Sequence, residues 1–62
     1  MNIRVECVET GHCEVMTRPA FFKRFGKLEG KEILAGYDST IIALVVDEPV
    51  GVRPNFFEVH NG

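Results

Sequence analysis

Cys7, His12, Cys13 and His60 are the side chains in this sequence best suited to chemistry. Two cysteines and two histidines match the ligand count of a structural zinc site. Their spacing does not match one. There is no C-x2-C pair, and on an extended chain adjacent residues such as His12 and Cys13 point to opposite faces. No metal and no cofactor are therefore expected. The thiols are read as small buried hydrophobes, with a Cys7–Cys13 disulfide as the rival. Nucleophilic catalysis would need a Ser, Thr or Cys beside an oriented base. Ser39 falls in a turn with no histidine near it in sequence, and alternation separates Cys13 from His12. No glycine-rich phosphate loop and no hydrolase or metalloprotease motif occurs. A short chain also leaves little room for a substrate pocket. The expectation is that the protein is not an enzyme.

Two stretches are candidates for binding instead. Arg18, Lys23, Arg24, Lys27 and Lys31 stand against Glu29 alone, whereas the rest of the chain is acidic and the whole carries a net charge of −2. Interleaved with Phe21, Phe22 and Phe25, this patch is a candidate nucleic-acid-binding face. On a helix, however, the rings and the charges fall on opposite sides. The second stretch is the proline-stiffened loop 47–55, which exposes Val50 and Val52 beside Arg53. Asp47, Glu48 and Glu58 would add an acidic patch next to it, and Phe56 follows. Prolines lower the entropic cost of holding such a loop for a partner.

The elements that must position these residues follow from hydrophobic period. Residues 2–8 and 12–18 alternate, and Glu9-Thr10-Gly11 between them fits a hairpin loop with Gly11 in the left-handed position of a bulge. The register this implies sets Ile3 opposite Thr17, Val5 opposite Val15 and Cys7 opposite Cys13, all on one face, with Glu6 opposite Glu14 on the other. Over residues 19–28, Phe21, Phe22, Phe25 and Leu28 share a stripe about 120° wide at helical period. Thr17 or Arg18 precedes that helix and Gly26 is its stop, with residues 27–31 as a turn. Residues 32–37 read as a third strand. Asp38-Ser39 turns the chain into residues 40–46, the longest apolar run, read as the central strand with Leu44 buried. Residues 56–60 complete the pattern as a last strand, which leaves one sheet edge open.

The expected fold is α+β: a small antiparallel sheet of about five strands in the order β-β-α-β-β-β, with one short helix packed on it. An SH3-like small barrel is the alternative. Residues 1–62 form a single domain. A chain of 62 residues buries only about 60% of its unfolded surface, so self-association as a homodimer, with Phe56 in the contact, is expected to add stability. No apolar run reaches the roughly 18 residues of a membrane span, and Met1-Asn2-Ile3-Arg4 leads straight into a strand pattern rather than a secretory leader. The expected location is cytoplasmic. The expected function is a non-catalytic protein-interaction module, an accessory or inhibitor protein that binds a larger protein. Nucleic-acid binding through the basic helix is the alternative.

Overall fold

The first turn of the chain determines the whole register. In the computed structural model, which describes residues 1–55, Cys7 N–H donates to His12 O at 2.9 Å and Cys7 O accepts from Gly11 N–H at 2.8 Å. Two residues, Gly11 and His12, thus oppose one, and Gly11 takes φ 77° as a bulge glycine does. Beyond the bulge, β1 (Asn2–Cys7) pairs antiparallel with β2 (Cys13–Met16), Ile3 facing Met16, Arg4 facing Val15, Val5 facing Glu14 and Glu6 facing Cys13. This is one residue out of step with the register expected from the loop, because the bulge takes up an extra residue of β2. A one-residue slip turns every β2 side chain over. Met16 rather than Val15 joins Ile3 and Val5 in the core. Cys13 lies on the opposite face from Cys7, so the two thiols are free and do not face each other. The slip also removes the Glu6–Glu14 repulsion that the other register would impose.

Among the described residues four antiparallel strands form an open sheet in the order β3-β1-β2-β4, with β3 (Ile41–Val46) beside β1 and β4 (Gly51–Arg53) beside β2. The long apolar run is therefore an edge strand, and β1 and β2 are the inner ones. Its side chains alternate between the helix-covered face, where Ala43 is buried, and the far face, where Ile42 and Leu44 are 44% and 46% exposed. Leu44 is thus not a core residue. The run is apolar at odd and even positions because its outer face is apolar and open, not because both faces are covered. The described residues make an open sheet rather than a barrel. The expected strand at 56–60, with Phe56, Glu58 and His60, lies outside them.

Two helices among the described residues, not one, cover the other face. α1 (Arg18–Phe25) begins at Thr17, whose Oγ1 accepts from Ala20 N at 3.3 Å, carries Pro19 in its first turn and ends at Gly26. Phe21 is fully buried, and Phe22 and Phe25 pack beside it. α2 (Lys27–Leu34) occupies residues expected to be a turn followed by a strand. Its sequence is rich in Lys, Glu and Leu, all good helix formers, and it buries Ile33. Leu28, expected among the phenylalanines, is instead 79% exposed, because the new helix axis begins before it. Gly30 sits where α2 crosses α1: a Cβ there would stand 2.7 Å from Phe22 Cδ1. Ile3, Val5, Met16, Phe21, Ile33 and Ala43 make the core between sheet and helices.

Residues expected to be a continuous loop contain β4. Between β3 and β4 only residues 47–50 intervene, yet these strands are the two outer ones, so the connection passes beside both inner strands. It is fastened there: Asn2 Nδ2 donates to Glu48 O at 2.7 Å and Arg4 Nη1 to Glu48 Oε2 at 3.1 Å. Arg53 donates to Pro49 O, and its Nε lies 3.5 Å from Glu48 Oε1. Arg4 Nε also sits 3.3 Å from Glu6 Oε1. With this cover Val15 and Cys13 are buried on the far face.

Candidate functional site

Two surfaces combine chemistry with access. The first is a half-open cavity of about 290 Å³ between the hairpin end and α1, lined by Val5, Cys7, Thr10, His12, Glu14, Arg24, Phe25 and Ile41. The bulge builds it. By setting Glu14 on the helix side, opposite Val5, the slipped register brings the Glu14 carboxylate within 2.9 Å of Arg24 Nη1 and 3.0 Å of His12 Nε2. The hydrogen bond from His12 and then that from Arg24 hold the Glu14 carboxyl below its ordinary range. Arg24 also lies over the Phe25 ring, 5.8 Å from its centroid.

Cys7 ends β1 just as the loop turns back. The Thr10 hydroxyl, followed by the backbone N–H groups of Thr10 and Glu9, hydrogen-bonds its sulfur and pushes the thiol's pKa down. Thr10 is itself positioned, its Oγ1 accepting from His12 N at 3.2 Å and its O from Asn55 Nδ2 at 2.7 Å. Cys13 has the opposite character: burial, then the nearby Glu6 charge, pushes its thiol up. Cys7 is thus the thiol disposed to ionise, and Cys13 behaves as a small hydrophobe. Among the described residues no group of three or more His, Cys, Asp or Glu side chains is arranged to hold a metal.

The second surface is the outer edge of β3. Val8 N–H donates to Thr40 O at 2.8 Å, so in this antiparallel ladder residues 40, 42, 44 and 46 turn their backbone groups to β1. Ile41, Ala43 and Val45 turn theirs outward, and no described strand pairs with them. Asp38 sets the start of this edge: its Oδ1 accepts from Thr40 N at 2.8 Å, Thr40 Oγ1 at 2.9 Å and Ile41 N at 2.9 Å. These bonds, the backbone ones first, hold its carboxyl below the usual value.

The residues singled out from sequence are distributed as follows. Val50 and Val52 are 57% and 69% exposed, Val50 in the crossing connection and Val52 in β4. Glu48 and Arg53 are half-buried and occupied with each other and with Arg4, whereas Asp47 is exposed at the end of β3. Phe56 lies outside the described residues. Arg18, Lys23, Lys27 and Lys31 are exposed on the helices, and Arg24 is drawn to Glu14. Sequence reasoning passed over Cys7, Thr10, His12 and Glu14 as a group, since only the bulged register brings them to one face. The signal was present in the charge pattern, because the expected register sets Glu14 opposite Glu6 with Arg4 only diagonal to it, whereas the slipped one frees it for Arg24 and His12. Comparison with family models, curated proteins and solved structures gives no match. Among the described residues no helix is long and apolar enough to cross a membrane.

Proposed function

We propose that the protein is a non-catalytic interaction module that binds a larger protein by taking an extended segment of it as a new strand along β3. The observation that supports this reading is the outward row of backbone groups at Ile41, Ala43 and Val45, flanked by the exposed side chains of Ile42 and Leu44. An apolar edge of six residues that no described strand covers is a template for strand addition. The edge is short of any blocking lysine or proline, and its ends carry Asp38 and exposed Asp47. The matching segment is therefore apolar at alternate positions and basic at its ends. A second copy of this chain is the poorer fit. Antiparallel pairing of two β3 strands about Ala43 sets Asp38 of one copy against Glu48 of the other and brings no cation to the ends.

The test uses the edge's own chemistry. Val45 does not spend its N–H on β1, so Val45→Pro leaves the internal ladder intact while removing an outward donor. The probe is a synthetic peptide of alternating valine and threonine with a lysine at each end, followed by amide chemical shifts and hydrogen exchange. The expected result is protection of the Ala43 and Val45 amides in the parent, the Ile41 amide being already bonded to Asp38. In Val45→Pro, with its circular dichroism unchanged, binding weakens by about tenfold, the worth of one to two hydrogen bonds. Equal binding by both proteins rejects the reading. Protection of the same amides on concentration alone, with sedimentation showing a dimer, replaces the partner with a second copy. Salt-sensitive binding of a single-stranded oligonucleotide at Arg18, Lys23, Lys27 and Lys31, without effect on β3, moves the function to the basic face.

A further inference from the structure

The cavity beside the hairpin end is not used by strand docking. Its walls are apolar, made by Val5, Phe25 and Ile41, and one sulfur, that of Cys7, opens into it. Arg24 and the His12–Glu14 pair complete its lining. We propose that this cavity is a covalent-capture site, in which Cys7 adds to a small, neutral, apolar electrophile of the α,β-unsaturated carbonyl class.

The arrangement meets each requirement of that reaction. The nucleophile is the thiolate, and Cys7, which lines the cavity, is the thiol whose pKa is pushed down, Thr10 contributing most. The apolar body of the ligand replaces water against Val5, Phe25 and Ile41. In the addition the sulfur lone pair forms the S–C bond at the β-carbon while the carbon–carbon π pair moves toward the carbonyl as an enolate. Arg24, which has several donors and gives Nη1 to Glu14, supplies a cation on the cavity wall for that developing negative charge. A proton from water then completes the α-carbon. Every atom of the ligand is retained, no group leaves, and no oxidant or reductant enters. The second thiol is excluded from the reaction by burial on the opposite face.

The full chain is treated at neutral pH with 2-cyclohexenone, an apolar cyclic enone, and with acrylamide, a small polar one, with glutathione as the reference thiol. Adducts are located by intact mass and peptide mapping. The expected result is a single adduct on Cys7 and a preference for cyclohexenone over acrylamide about tenfold greater than that of glutathione, the range a few methylenes earn in an apolar pocket. Thr10→Val, a change at an exposed loop position, slows the addition several-fold and moves its pH midpoint upward toward the ordinary thiol range, with circular dichroism unchanged. A preference equal to that of glutathione overturns the proposal, because the cavity then seats nothing. So does an adduct on Cys13 in place of Cys7, or a pH midpoint that Thr10→Val leaves where it was.

Discussion

Replacing Gly30 by alanine tests the packing of the two helices against the intrinsic preference of one of them. Gly30 lies inside α2, where alanine is favoured over glycine by about 1 kcal/mol. On that ground alone Gly30→Ala would stabilise. The added methyl, however, would stand 2.7 and 2.8 Å from Phe22 Cδ1 and Cε1 and 3.1 Å from Phe21 Cε2. Carbon atoms pack at roughly 3.5–4.0 Å, so the Phe22 ring must retreat by close to an ångström. It has little freedom to do so, for it meets Phe21 edge-on with centroids 5.2 Å apart, and Phe21 is fully buried. Overpacking of this kind costs about 1–3 kcal/mol, which outweighs the helix gain. The net expectation is a loss of about 1 kcal/mol, which in a domain this small lowers Tm by about 4–8 °C. Thermal melts followed by circular dichroism measure it, with Lys31→Ala, an exposed position on the same helix, as the control for propensity. A Gly30→Ala protein that melts at or above the parent would refute the reasoning, since Phe22 would then be free to move and the close helix crossing would not be required.

Two other perturbations discriminate between parts of the structure. Ile3→Ala, at a position with no exposure, is expected to cost about 2–5 kcal/mol and to unfold much of the population, whereas Leu44→Ala, on the open face of the edge strand, is expected to change stability by less than about 1 kcal/mol; urea titrations that reverse this order would return the long apolar run to the centre of the sheet. Acid should destabilise through two depressed carboxyls. Glu14 is held down by His12 and Arg24 and Asp38 by the Thr40 and Ile41 amides, so each contributes its stability fully above the ordinary carboxylate pKa and loses it as pH falls through that range and below. Melts from neutral to acid pH should show this fall, and Glu14→Gln and Asp38→Asn should each make it shallower; unchanged slopes would mean that neither ion is bonded as described.

The parts of the fold legible in the sequence are those decided by neighbours along the chain. Gly11 marked the bulge, Thr17 and Gly26 marked the ends of α1, and the β-branched run marked a strand over 41–46. The parts that were not legible depend on contacts between distant residues. Gly30 reads locally as a breaker, but it is required by the ring of Phe22 lying across it. Residues 32–37 read as a strand from Ile33, Ala35 and Tyr37 at alternate positions, yet 32–34 end α2, where Ile33 joins Phe21 and Ala43 in the core. The position of β3 at the edge rather than the centre was hidden for a similar reason: an apolar outer face looks the same in sequence as a covered one. The cavity was the least legible feature. It depends on a one-residue slip, and a loop that fits either register by turn residues alone is settled by what Glu14 finds on the helix side of the sheet.

The four-residue connection between the outer strands also changes how the molecule comes apart. In most small sheets an edge strand can fray by itself. Here the two edges are consecutive in the chain, and the link between them is bonded to Asn2 and Arg4 at the start of β1. Detaching the three-residue β4 removes Arg53 from Pro49 and Glu48, and with it the cover over Val15 and Cys13. Small excursions at the weakest strand are thereby written into the accessibility of a single sulfur atom. Cys13, silent while the sheet is whole, is a built-in recorder of how often its margin opens.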